Sequence, residues 1–340
     1  MLILLTSMIS SMFSTGIVFA EETIYIRSDG SVDPPTAPIT RAGNTYTFTA
    51  NISQPIVIEK DNIVMDGNGY RLLGSGEESG FFLGGRSNVT IRKIHITGYS
   101  YGIYMNLSTS STVIDSFLEN SDLAAVWLES STTTNITSNT IANSYCGILL
   151  TWSDNNNITS NAVKNNPFGI LAIGSSGNTV KNNTIANNDA CGIWLDQSST
   201  TIYLNNFINN TAQTAVSNST NTWDNGYPLG GNYWSDHTGA DSKSGPNQDQ
   251  PGSDGIIDTP YIIDANNKDR YPLKSPLNYG PNPDVNRDGR VNILDIFAVA
   301  RAFGSKPGDP NWNQAADLDN NGVINILDIF AVAKDFGKTM

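Results

Sequence analysis

The chain has 340 residues and a formal net charge of −13, yet only 15 % of its residues are charged. An acidic, charge-poor surface argues against nucleic acid, which needs a basic patch, and leaves calcium open. Two Cys and two His leave little for transition-metal work, while the length suffices for a sizeable core and more than one domain.

Residues 1–20 hold a run rich in Leu, Ile, Met, Val and Phe that ends Val18-Phe19-Ala20 before Glu21-Glu22. An apolar core followed by a small-residue cleavage site reads as an export signal, although no basic segment precedes it. The run is short for a membrane anchor and is interrupted by Ser and Thr. Asn-x-Ser/Thr sequons at Asn51, Asn88, Asn106, Asn135, Asn157 and Asn182 fit an exported glycoprotein, but Asn-rich sequence generates them by chance.

Thr23 to Val57 reads as a lead-in whose alternating Thr45-Tyr46-Thr47-Phe48-Thr49 caps the structure that follows. A cap is a physical need, because an open coil end exposes unpaired backbone groups. Asn62 to Gly69 reads as an early coil that ends in a tight turn.

From Gly80 the chain repeats itself. A small residue precedes an apolar one at Gly80-Phe81, Gly102-Ile103, Ala125-Val126, Gly147-Ile148, Gly169-Ile170, Gly192-Ile193 and Ala215-Val216, at spacings of 22, 23, 22, 22, 23 and 23. A second marker keeps step at Asn139, Asn161, Asn183 and Asn206. Such periods signal a solenoid, and the apolar-variable-apolar strand after each small residue makes it one of strands. The fold expected is an all-β, right-handed parallel β-helix with coils stacked about 4.8 Å apart, from 21 to 220. The Asn ladders are expected to hydrogen-bond from coil to coil.

Within each coil, the first and third positions after the small residue point inward. The second points outward, giving the column Phe82, Tyr104, Trp127, Leu149, Leu171 and Trp194. An outward apolar column needs a reason. One reading is a sugar platform made of Tyr104, Trp127 and Trp194 with the acids Glu129 and Asp196. The other is that residues 221–277 fold back over this face. Cys146 and Cys191 share a column two coils apart, roughly 9–10 Å, too far for a disulfide. Two free, packed thiols are expected.

A catalytic pair is not legible. Glu129 and Asp196 share one column, and Asp122 and Asp189 another, but three coils separate each pair. That is about 14 Å, outside the ~5–9.5 Å of working glycosidase carboxylates. Residues 221–280 break the period with Trp223-Asp224-Asn225-Gly226-Tyr227-Pro228 and Gly230-Gly231-Asn232-Tyr233-Trp234. These motifs, the coils and the lead-in Ile26-Arg27-Ser28-Asp29-Gly30-Ser31 resemble the exported β-helix proteins of the NosD-like type found in archaea. That resemblance covers roughly residues 22–277 and implies the fold. Copper does not carry over with it, since His95 and His237 sit in different segments.

The strongest chemical signal lies in residues 281–340. Asp284, Asn286, Asp288 and Asp295 fall at positions 1, 3, 5 and 12 of a twelve-residue loop with Gly289 at position 6. The pattern recurs as Asp317, Asp319, Asn321 and Asp328 with Gly322, and the carbonyls of Arg290 and Val323 supply position 7. Each loop runs into a helix, Ile293 to Phe303 and Ile326 to Phe336, and two bound calcium ions are expected. A duplicated loop-helix without an entering helix resembles a type I dockerin. The resemblance implies calcium-dependent attachment to a cohesin on a scaffold or cell surface. Asp284–Gly304 and Asp317–Gly337 agree at 13 of 21 positions. The repeated apolar pairs Ile293-Leu294 and Ile326-Leu327, with Arg301 and Lys334, are the expected partner contacts. Phe297, Phe330, Phe303 and Phe336 are expected in the module's shared core.

Overall fold

The computed structural model describes residues 23–76, 78–277, 283–286, 290–306, 309–318 and 323–338. The export segment read at residues 1–20 lies outside the described residues. The chain divides into two compact units, one up to Leu277 and one from Asn278.

The first unit is a parallel β-solenoid of three long sheets with ten, eight and nine strands. Successive strands of the first sheet come from successive coils: Ser79–Gly84, Tyr101–Asn106, Ala124–Glu129, Cys146–Thr151, Phe168–Ile173 and Cys191–Asp196. Val126, Ile148, Ile170 and Ile193 stand in register, and the inward positions form one continuous core. Small residues precede them because the next coil passes close by. A Cβ on Gly147 would lie 2.5 Å from the carbonyl of Gly169, and one on Gly169 would lie 2.4 Å from that of Gly192.

Each coil bends at corners in the left-handed region. One coil uses Leu107, Ser110, Asp115 and Asn120; the next uses Ser130, Thr133, Ser138 and Asn143; the next uses Trp152, Asn155, Ser160 and Asn165. Asn, Asp and Ser dominate because short polar side chains tolerate positive φ best after Gly. The Asn-rich composition is therefore corner chemistry as well as ladder chemistry. The ladder runs inside: Asn139, Asn161, Asn183, Asn205 and Asn232 link amide to amide at 2.9–3.1 Å, all buried. Its fourth rung is Asn205 and not Asn206, which pairs in the second sheet opposite Thr184. A second buried ladder joins Asn166, Asn188 and Asn210.

The last coil also departs from the sequence reading. Val216 pairs with Leu195 and Ala215 with Trp194, so Gln213 takes the place expected of Ala215. The carbonyl of Gln213 would meet a Cβ on Gly192 at 2.6 Å. No further coil of the repeat crosses this final strand, so the small-residue requirement lapses there and the motif at Ala215 is coincidental.

Both ends are closed. The hairpin Ile39–Ala42/Thr45–Phe48 buries Tyr46 and Phe48 over the first coil and pairs with Ile63–Asp66. At the other end, residues 221–277 stay with the solenoid. Trp234 stacks between Phe207 and Tyr261, with centroids 4.4 and 4.1 Å away. Its indole donates to Asp269 at 2.9 Å. Asp269 also accepts the Asn232 and Tyr271 backbone N–H groups, so one buried carboxylate ties the cap together.

The second unit contains two helices, α1 (Ile293–Arg301) and α2 (Ile326–Lys334). Val285, Val291, Val299, Ala302, Ala316, Leu318, Ile324 and Val332 form its core. The halves mirror each other. Val291 exchanges backbone bonds with Gly337 and Lys338, and Ile324 does the same with Gly304 and Ser305.

Candidate functional site

The loops before α1 and α2 are organised by their twelfth residues. Asp295 accepts the backbone N–H groups of Asn292 (2.8 Å) and Asn286 (3.0 Å), and Asp328 those of Asn325 (2.7 Å) and Leu318 (2.6 Å). Asn292 and Asn325 in turn accept from Leu294 and Leu327 at 2.8 Å, completing two capping boxes. Each twelfth-position carboxylate thus pins the start of its loop to the start of its helix.

Asp284 and Asp295 are buried in the first loop, and Asp317 and Asp328 in the second. Burying two carboxylates in one short loop is costly unless a cation pairs with them. Carboxylate and carbonyl oxygens are the donors calcium prefers, so the residues present fit that ion. Asp284, Asn286, Asp295 and the Arg290 carbonyl would hold it in one loop; Asp317, Asp328 and the Val323 carbonyl would in the other. Asp288, Asp319 and Asn321 lie outside the described residues.

The helices turn an apolar face to solvent. Ile293, Leu294 and Phe297 on α1, and Ile326, Leu327 and Phe330 on α2, are each 50–63 % exposed. Phe303 and Phe336 are exposed too, as are Arg301 and Lys334. The expectation that these four Phe residues pack the shared core is corrected. A nine-residue helix offers one inward stripe, and Val299 or Val332 fills it together with the buried Asp, leaving Phe297 and Phe330 on the opposite side, while Phe303 and Phe336 lie beyond the helix ends. Large apolar residues are thus exposed at matching positions of both halves.

On the solenoid, the outward column is real, but it is not open. Tyr104 is 6 % exposed and Trp127 4 %, and their rings stack at 4.3 Å and 11°. The cover is not residues 221–277, whose aromatic residues close the coil end instead. The column is walled by its own sheet: Tyr101, Ala124, Cys146, Phe168 and Cys191 on one side, and Asn106, Glu129 and Thr151 on the other. Trp127 donates to Thr151 at 3.0 Å, and Glu129 accepts from Tyr104 and Asn106. The flat faces of Tyr104 and Trp127 are therefore spent on packing, which contradicts their reading as a sugar platform; Trp194 stays half-buried. Cys146 and Cys191 lie in this layer as free thiols, pushed up to about 12 by burial.

The sequence reading missed Trp152. It stands at a corner with φ +49 and is 53 % exposed, its indole lying over Gly174 one coil on. Any side chain at Gly174 would occupy that seat, since its Cβ would fall 2.8 Å from the indole. The signal was present as the pairing of a Trp with a Gly at the coil period.

The carboxylates do not converge. Glu129, Thr151, Ile173 and Asp196 follow one another in register, so three strand spacings of about 4.8 Å separate the two acids. His95 accepts from Arg71 at 3.0 Å through Nδ1 and meets Glu119 at 2.8 Å through Nε2. Burial lowers its pKa. His237 Nε2 lies 3.0 Å from the carbonyl of Thr259. With both histidines committed separately and no cluster of three His, Cys, Asp or Glu among the described residues, the donor set does not fit copper.

Comparison with known proteins follows the same division. Residues 40–239 match the family described as periplasmic copper-binding protein (NosD), and residues 282–336 match the dockerin type I domain. A search of curated proteins finds no match. Among solved structures, the enzymatically active domain of bacteriophage CBA120 tailspike protein 2 is similar at 18 % identity and TM-score 0.35, covering 58 % of this chain and 29 % of that one. A mutant of the periplasmic alginate epimerase AlgG is similar at 16 % identity and TM-score 0.37, covering 62 % and 70 %. An alginate lyase from Paenibacillus sp. str. FPU-7 is similar at 14 % identity and TM-score 0.28, covering 56 % and 88 %. Dockerin type I domains bind calcium and attach to cohesins. The chain therefore belongs to the NosD family, as a parallel β-solenoid that carries a C-terminal type I dockerin domain.

Proposed function

We propose that this is an exported, cell-surface protein whose dockerin, loaded with two calcium ions, docks on a cohesin. Its solenoid holds a glycan or another envelope polymer without changing it. The observation that carries the docking half is the pair of matching exposed faces, Ile293-Leu294-Phe297 and Ile326-Leu327-Phe330, each set beside its own loop of buried carboxylates. Arg301 and Lys334 add one cation to each face. A solenoid tethered in this way presents its long outer sheets to polymer in the envelope. Trp152, seated over Gly174, offers the exposed aromatic face that Tyr104 and Trp127 do not. Trp194 and Asp196 lie two coils further along the same sheet.

A second reading, a polysaccharide hydrolase or lyase in a cohesin-organised assembly, draws on Glu129 and Asp196 as the acids of the outer face. Their separation of three coils favours binding over cleavage. The deciding experiment presents the full chain to a glycan array and to immobilised cohesins, with calcium and with chelator, while reducing ends are assayed. Calcium-dependent cohesin capture with glycan retention and no new reducing ends is expected. Release of reducing ends would establish the enzyme instead.

A further inference from the structure

The outward column of the first sheet steps down at its last strand. After Trp127, Leu149, Leu171 and Trp194 the register places Ala215, and after Glu129, Thr151, Ile173 and Asp196 it places Ser217. Thr214–Ser217 ends that sheet, and the apolar side chains packed outside it stop at Ala215. Every residue of Cys146–Thr151 is buried, whereas every residue of Thr214–Ser217 keeps partial exposure. On the side of the earlier coils Trp194 has Leu171 opposite it and the Phe168 ring 5.8 Å away. On the other side the register sets only the methyl of Ala215 beside the half-buried indole. The column therefore ends in a ledge.

Asp196 stands two residues on from Trp194, about 6.6 Å along the strand and on the same face. Its Oδ1 is buried and accepts no hydrogen bond. The register gives the reason. Ile173, its neighbour on the preceding coil, has nothing to donate, whereas Glu129 three coils earlier accepts from Asn106 and Tyr104. A buried acceptor without a donor is costly, and a protein that keeps one needs a reason. A carboxylate on a chain of net charge −13 repels phosphate, sulfate and uronate. Calcium takes about 6–8 oxygens, and no three His, Cys, Asp or Glu side chains gather into a metal site among the described residues. An acyl chain would cover the carboxylate and still bring no donor. A sugar ring supplies both needs, an apolar C–H face for the indole and a hydroxyl edge for Asp196, with the Ser217 hydroxyl as a further partner.

We propose that this ledge is a binding subsite for one pyranose ring of a neutral glycan. The ring rests over Ala215 against the Trp194 indole and donates a hydroxyl to Asp196. This deepens the proposal that the outer face binds glycan and rests on it, but it uses residues other than Trp152.

The test titrates the full chain in calcium with oligomers of glucose, galactose and mannose, and with glucuronate and glucosamine oligomers as acidic and basic controls. Binding is read by calorimetry. At least one neutral oligomer should bind, and Trp194→Ala and Asp196→Ala should each weaken it roughly tenfold or more. Ala215→Leu should do the same by filling the ledge with the side chain that Leu149 and Leu171 carry in the column. Asp196→Ala removes a buried oxygen that accepts nothing from its own chain, so it should melt no lower than the parent. Failure of every neutral oligomer to bind, tighter binding of either charged control, unchanged affinity in Asp196→Ala, or a lower melt in that variant would overturn the subsite. Array retention that is lost in Trp152→Ala but kept in Trp194→Ala and Ala215→Leu would reject the subsite and spare the broader reading.

Discussion

Asn205 donates its side-chain amide to Asn232 at 2.9 Å across 27 residues of chain, carrying the internal ladder out of the repeat and into the cap. Asn232 in turn donates to the Ile202 and Trp223 carbonyls at 3.0 and 2.7 Å, with no solvent exposure. Replacing Asn232 by Ala strands those acceptors in a dry interior. The expected loss is about 1–3 kcal/mol per abandoned group, read as an earlier thermal or denaturant transition. An unchanged midpoint would show that the ladder is ornamental at its last rung.

The cap should also respond to pH. Burial pushes Asp269 from 3.8 up to about 7, against the pull of the N–H donors of Asn232, Trp234 and Tyr271. The folded chain therefore holds this proton where the unfolded chain has released it. Its stabilising contribution is full below about pH 4 and is lost as pH rises through 7. Asp224 works in the opposite sense: burial would raise it, but the Arg270 hydrogen bonds hold it below 3.8, so its contribution fades only in stronger acid. The melting temperature should fall between pH 4 and 7, and Asp269→Asn should flatten that slope. A slope preserved in Asp269→Asn would assign it elsewhere.

Trp127→Ala should cost about 3–5 kcal/mol, the penalty of emptying a packed site, because the ring is stacked on Tyr104 and hydrogen-bonded to Thr151. Trp152→Ala should barely change stability but should lower glycan retention. Parallel melts and array binding separate the two. A large stability loss in Trp152→Ala would mean that its ring is cement and not a contact surface.

In the dockerin, Ile293→Asp with Leu294→Asp, or the same pair at Ile326 and Leu327, should weaken cohesin binding only modestly, because either face suffices. All four changes should abolish it. Chelation should abolish it as well, since each loop buries two carboxylates that repel without a cation. Surface plasmon resonance with and without calcium reads all of these. Total loss in a single-face variant that still binds calcium would refute the two-face reading.

Much of this was legible in the sequence because stacking imposes rules that leave marks. A carbonyl passing 2.4 Å from a would-be Cβ forces the small residue at Gly169, and a corner at positive φ favours Asn143 or Asn165. Both recur at the coil period. What flanks a column has no such rule. Spacing places Trp127 on the outer face, but nothing in it reveals that Tyr101 and Thr151 would wall it in. Asn205 and Asn206 are chemically equivalent neighbours, and only the strand register separates a ladder rung from an amide that binds the backbone of Leu277. The cap escaped for a related reason: Asn232, Asp269 and Trp234 meet through contacts with no period. Phe297, Phe303, Phe330 and Phe336 misled because repetition is equally compatible with a shared core and a shared exposed face.

The ladders have a consequence for how such a chain changes length. Ser144 is bonded to Asn166 in the same way that Asn166 is bonded to Asn188, through a backbone N–H to a side-chain oxygen 22 residues on. Excising residues 144–165 would join Asn143 to Asn166, set Asn139 against Asn183 and bring Val126 opposite Ile170, with every interior partner replaced by its counterpart. The solenoid is thus modular: whole coils can be gained or lost by recombination, whereas a smaller change must be taken up between rungs, as in the 23-residue step from Ser121 to Ser144 and the 27-residue step from Asn205 to Asn232.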